Sequence, residues 1–174
     1  MNTSDTNIDQ AIELLQQGKV VILPTETVYG LAVRYDFQDG VDKIFELKNR
    51  PHSKPLSLAF HSEEQIQQFL GIKIQFDLTQ PTTWLVSTNK VYGVHSSQLR
   101  NTTKYVGIRL PNHTTYTTIA KKISVPLCLT SANLSDESPA ITAEEARRIF
   151  PNLLTIDGGE CKFKSPSKVL KYEN

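Results

Sequence analysis

The sequence predicts an α/β (α+β) fold on a mixed sheet, and three observations point there. Short apolar runs of strand length are interspersed with apolar stripes at helical spacing. They intermix without the regular strand–helix–strand rhythm of an all-parallel sheet. No internal repeat or long linker interrupts them, so residues 1–174 are expected to form one domain.

Ile8, Ala11, Ile12 and Leu15 fall at i, i+3, i+4 and i+7, with Thr6-x-x-Asp9 as a start signal and Gly18 as a stop, which reads as an amphipathic first helix. Val20 to Leu23 is a continuous apolar run ending at Pro24, as in a buried strand. Val41, Ile44 and Phe45 form a second helical stripe, which Pro51 stops near Arg50. Leu56 to Phe60 reads as a strand, and Ser62-x-x-Gln65 then caps a helix carrying Ile66, Phe69 and Leu70. Trp84 to Val86, Val106 to Leu110 and Leu127 to Leu129 read as further strands, the last two separated by a helix with Tyr116, Ile119, Ala120 and Ile123. Thr142-x-x-Glu145 opens a helix with Ala146, Ile149 and Phe150, and Gly158-Gly159 turns the chain toward a last strand near Val169.

Composition narrows the function classes. Nineteen Lys and Arg against 18 Asp and Glu give a net charge of +1, far from a dedicated nucleic-acid binder, so any RNA contact rests on a local patch. The two cysteines, Cys128 and Cys161, make neither a disulfide framework nor a metal half-site, which favours a reducing compartment. The polar N-terminus carries no secretion pattern and no apolar run reaches the ~20 residues of a membrane span, so a cytoplasmic protein is expected. For the same reason the acceptor-like triplets at Asn101 and Asn133 carry no weight as glycosylation sites. His52, His61, His95 and His113 are scattered without metal-ligand spacing, and the familiar phosphate-loop, dinucleotide, zinc-protease and serine-elbow motifs are absent. An enzyme built from this chain is expected to work through charge placement and positioning more than through a covalent nucleophile or a structural metal, and no metal-binding residues are expected.

Three segments can carry it. Pro24-Thr25-Glu26-Thr27-Val28-Tyr29-Gly30-Leu31 follows the first buried run, where strand ends bind ligands in open sheets; Thr25, Thr27 and Tyr29 can grip a polar substrate, or Thr25 and Thr27 can simply bond local backbone. Lys48-Asn49-Arg50-Pro51-His52-Ser53-Lys54 puts three cations in one short stretch, suited to a polyphosphate. An extended Asn49 would set Lys48 and Arg50 on one face; the alternative is a solvated loop at a helix C-terminus. Ser131 and Asn133 share the same two-residue spacing and face one ligand or cap a turn. Arg109 ends an apolar strand and binds a carboxylate or pairs with an acid. Lys162, Lys164, Lys168 and Lys171 form a basic C-terminal stretch, a solvated face or a weak tRNA or double-stranded RNA contact.

In this order, PTETVYGL, KNRPHSKPL and TSANLS resemble the YrdC/TsaC family of threonylcarbamoyl-AMP synthases, roughly from Val20 to Leu170. The resemblance implies a twisted mixed sheet lining a concave basic cavity, in the short form without an appended domain. It implies that L-threonine, bicarbonate and ATP give threonylcarbamoyl-AMP and pyrophosphate, with magnesium carried on the ATP phosphates. Downstream transfer proteins would use the product to modify tRNA. Lys48, Arg50, Ser131 and Asn133 match the family's catalytic tetrad; with Lys54 they would hold ATP, while Thr25, Arg109 and Ser167 would hold threonine. Gln80 and Asp136 stand where the family pattern has glycine, which restricts the backbone there. The alternatives are a YciO-like paralogue with different adenylate chemistry and a non-catalytic RNA-binding module.

Overall fold

The computed structural model describes residues 3–87 and 105–172; His95 and Asn101 lie outside the described residues. The described elements are α1 (Thr3–Gln16), β1 (Val21–Leu23), β2 (Gly30–Arg34), α2 (Gln38–Lys48), β3 (Ser57–Ala59), α3 (Glu63–Leu70), β4 (Thr82–Ser87), β5 (Tyr105–Arg109), α4 (Thr114–Ile123), β6 (Leu127–Ser131), α5 (Ala143–Ile149) and β7 (Lys168–Lys171). The strands form one sheet in the order β1-β2-β6-β3-β5-β4-β7. Pairs β3·β5 and β4·β7 are parallel and the other neighbours antiparallel, which is the mixed sheet expected.

Local signals explain most element boundaries. Ser62 Oγ accepts the Gln65 N–H at the start of α3, and Thr142 Oγ1 accepts the Glu145 N–H at the start of α5, so both expected caps form. The α1 signal is corrected: the helix begins at Thr3, which puts Thr6 inside it rather than at its cap. Gly18 ends that region at φ 71, where a Cβ would overlap the Phe37 ring. β2 was not foreseen as a separate strand, because GLAVR continues directly from the polar motif before it.

Register divides the core. Residues two apart on a strand share a face. Leu31, Val33, Leu58, Ile108 and Cys128 face one side, packed against Val41, Ile44 and Phe45 of α2, Ile66 and Leu70 of α3, and Ala143 and Ala146 of α5. Ala32, Ala59, Leu127 and Leu129 face the other side, under Ala11 and Leu15 of α1 and Tyr116, Ile119 and Ile123 of α4. These two helices cover only part of that second face. The uncovered part carries Ser57, Thr83, Arg109, Ser131 and Val169, and there the pocket opens. Among the described residues no helix is long and apolar enough to cross a membrane.

Candidate active site

The pocket has a volume of about 170 Å³, and Arg50 and Arg109 are its charged lining side chains. That is below the 300–1,000 Å³ of typical enclosed ligand sites, so it suits an amino-acid-sized group with a larger ligand running out along its rim. Ser57 and Thr83, two of its lining residues, close over Gly107, where a Cβ would come within 2.8 Å of Ser57 Oγ and 3.1 Å of Thr83 Cγ2.

At one end, α2 delivers Lys48 into the interior. The side chain is 1% exposed, and its ammonium donates to Ser131 O (2.5 Å), Asn133 O (2.8 Å) and Asn133 Oδ1 (2.9 Å). All three of its donors are thereby engaged. Ser131 Oγ donates to the same Asn133 Oδ1, Asn133 Nδ2 donates to Glu137 O, and Ser135 N–H returns to Lys48 O. The 48–54 loop and the 131–136 turn therefore lie side by side, joined through a buried cation. Desolvation first, then repulsion from Arg50, brings the Lys48 pKa down to about 7.

The route by which Lys48 and Arg50 come together differs from the one expected. Asn49 is not extended: it caps α2 in the left-handed region at φ 49, ψ 43, a conformation that Asn tolerates better than most residues. The reversal there sends Lys48 inward and leaves Arg50 on the pocket wall. Arg50 Nε donates to Lys54 O and Nη2 to Pro55 O, which clips the loop closed while keeping the other guanidinium protons available. Burial weakens Arg50's hold on its proton and Asp136 partly offsets that. Lys54 is half-exposed, its ammonium 3.5 Å from the Asp136 carboxylate.

The other end is built around Arg109, buried at the close of β5. Its guanidinium pairs with Glu26 Oε1 (2.5 Å) and donates to Thr27 Oγ1 from both Nη1 and Nη2 (3.1 Å each), while Glu26 Oε2 accepts the Asn112 N–H (3.0 Å). Thr25 Oγ1 donates to Val28 O (2.6 Å), so the 2.9 Å contact between the two threonine hydroxyls has Thr27 as its donor. A directed chain runs from Arg109 through Thr27 and Thr25 to backbone. The local-backbone reading is thus realised for Thr25, which still lines the pocket, whereas Thr27 Oγ1 bonds the side chains of Thr25 and Arg109. Tyr29 does not offer its hydroxyl there: it donates to Gly159 O and accepts from Gly158 N–H, holding the turn that leads to the last strand. Ser167 lies against Thr83 across the pocket edge, Oγ to Oγ1 at 2.7 Å.

Reasoning from sequence missed Glu26, Thr83 and Ser57. Glu26 was within a quoted motif, but its partners Arg109 and Asn112 are 83 and 86 residues away. Asp136 adopts φ 68 despite lacking glycine's freedom, whereas Gln80 is not among the positive-φ residues.

A family model named Sua5_yciO_yrdC, with the description Telomere recombination, matches residues 13–174. A threonylcarbamoyl-AMP synthase of Hydrogenovibrio crunogenus is 30% identical over 179 residues, 97% of this chain and 95% of its own length. A threonylcarbamoyl-AMP synthase of Mus musculus is 31% identical over 155 residues, 86% of this chain and 54% of its own, so this chain spans about half the length of that relative. The crystal structure of P. abyssi Sua5 complexed with L-threonine aligns with a TM-score of 0.82 at 28% identity, over 95% of this chain and 50% of that one.

Proposed function

This chain belongs to the Sua5/YciO/YrdC family, and on that premise we propose that it is an enzyme, a nucleotidyltransferase of one YrdC-like domain that makes threonylcarbamoyl-AMP and pyrophosphate from L-threonine, bicarbonate and ATP. The observation that carries the reading is the Lys48 link. It joins the loop holding Arg50 to the turn holding Ser131 and Asn133, on the rim of the pocket that Arg109 lines.

Threonine sits in the small cavity with its carboxylate on the Arg109 donors that Glu26 and Thr27 leave over, between Thr25 and Ser167. ATP runs along the rim, its phosphates on Arg50, Lys54 and Ser131. The free threonine amine adds to carbon dioxide with loss of a proton, or to bicarbonate with loss of water, and an oxygen of the resulting carbamate attacks the α-phosphorus in line as the bond to pyrophosphate breaks. Negative charge grows on the leaving pyrophosphate, so fixed cations at the rim act where they are worth most. Holding carbamate and phosphorus at contact removes an entropic barrier of up to ~7–11 kcal/mol in ideal cases. Magnesium would be carried on the ATP phosphates, the usual ligands of this cation in nucleotide sites.

Lys48 acts in this scheme as a positioning residue, fixing the carbonyls and side chain of the Ser131–Asn133 turn. Downstream proteins that transfer the threonylcarbamoyl group to tRNA are the partners, and the cytoplasm, where the two free buried cysteines stay reduced, is the setting. The test is pyrophosphate release from purified protein, expected only when ATP, threonine and bicarbonate are all present. Release that ignores threonine overturns the synthase reading and favours a paralogue with other adenylate chemistry. Salt-sensitive RNA binding with no release favours the non-catalytic alternative.

A further inference from the structure

Asp136 places a carboxylate beside the cations of the nucleotide end. It holds a left-handed backbone at φ 68, a conformation that Asp and Asn adopt more readily than other side chains but less readily than Gly. Its carboxylate lies 3.5 Å from Lys54 Nζ, and it is the neighbouring charge that opposes the burial of Arg50. The turn that carries it is fixed beneath by Lys48, through the Ser135 N–H bond to Lys48 O. A negative group is therefore held beside the two cations with the freest protons at that rim.

We propose that Asp136 shifts the preference of the nucleotide end toward a triphosphate whose charge is lowered by magnesium, by penalising the metal-free tetra-anion more. The inference rests on the polyphosphate reading of Arg50 and Lys54. A fixed carboxylate repels a ligand in proportion to the ligand's charge, so the metal-free form is penalised about twice as much as its magnesium complex. Asp136 also pairs with Lys54, and a triphosphate has to displace it from that contact. Because Asp136 is well exposed, the effect has the size of a solvent-screened charge contact, about 2- to 5-fold in affinity.

Calorimetric titration of ATP into the full chain, with magnesium and with chelator, tests this in wild type, Asp136→Asn and Asp136→Gly. Asn keeps a side chain that tolerates the left-handed backbone and removes only the charge; Gly removes both charge and backbone strain. In wild type the ratio of the two affinities is expected to lie further toward the magnesium complex than in either variant. Both variants should tighten metal-free ATP by about 2- to 5-fold and the magnesium complex by less, moving the ratio toward metal-free ATP, with thermal stability raised in Asp136→Gly. Measurable binding with an unchanged ratio in both variants overturns the inference while leaving the polyphosphate reading standing. Absence of ATP binding in all three proteins overturns that reading, and this inference with it.

Discussion

At one end of the pocket Lys48 is buried among neutral acceptors, with no carboxylate bonded to it among the described residues, whereas at the other end Arg109 is buried against Glu26. The first arrangement leaves an uncompensated positive charge behind Arg50, which favours a ligand carrying several negative charges. The second is a neutral pair: Glu26 takes up the charge of Arg109 and leaves donor geometry, which favours a group with one carboxylate and an uncharged nucleophilic amine. A buried pair of that kind adds little stability compared with an apolar replacement, yet breaking it is costly. The two ends thus look alike in sequence, as basic residues at element ends, and differ in what they are built to hold.

Removing the pocket-lining cation at the charged end should have the largest effect. Arg50→Ala is expected to lower kcat/KM by about 10²–10³-fold, as for loss of one fixed donor at a developing charge, with thermal stability nearly unchanged. A similar loss in a variant that also melts early would make Arg50 a loop clip and nothing more. Lys48→Met should cost about 10²-fold through misplacement of the Ser131–Asn133 turn, and it should also lower stability by about 1–3 kcal/mol because buried acceptors lose their donor. Normal stability with lost activity would instead make Lys48 a direct phosphate contact.

Lys48 also gives a pH signature. Its folded pKa is lowered to about 7, while in the unfolded chain it stays near the usual ~10.4. Between those values the unfolded state binds more protons, so wild-type stability relative to Lys48→Met should rise with pH across the window and level off below it. Turnover should move the opposite way above pH 7, as the ammonium loses a proton and one acceptor of the turn loses its donor. Melting curves and pH–rate profiles of the two proteins check both signs.

At the neutral end the effects should be smaller and fall on threonine. Glu26→Gln weakens the pairing that orients the Arg109 guanidinium, and an increase of about 10-fold in the KM for threonine with little change in that for ATP is expected. An effect on ATP alone would erase the distinction between the ends. Ser167→Ala, which removes the hydroxyl against Thr83, should raise the threonine KM by about 3- to 5-fold, the weight of one hydrogen bond.

Legibility in the sequence follows how far each cause reaches along the chain. The caps at Ser62 and Thr142 formed as expected because their donors lie three residues on. Lys48, Arg50, Ser131 and Asn133 were legible as short motifs, and their meeting was an expectation that the geometry now details. What was not legible is which way each points: a single left-handed Asn49 turns Lys48 inward and Arg50 outward, and spacing alone offered only an extended Asn49 or a solvated loop. Glu26 and β2 were hidden for a related reason, since a buried acid and a strand edge acquire their roles from partners on β5 and β6 far along the chain.

The most direct measurement is mass spectrometry of a reaction containing ATP, threonine and ¹³C-labelled bicarbonate. One adenylate carrying both the threonine mass and the labelled carbon is predicted, formed by wild type and nearly lost in Arg50→Ala. An adenylate lacking the label or the threonine, or an undiminished product in Arg50→Ala, would contradict the account of two ends serving one reaction.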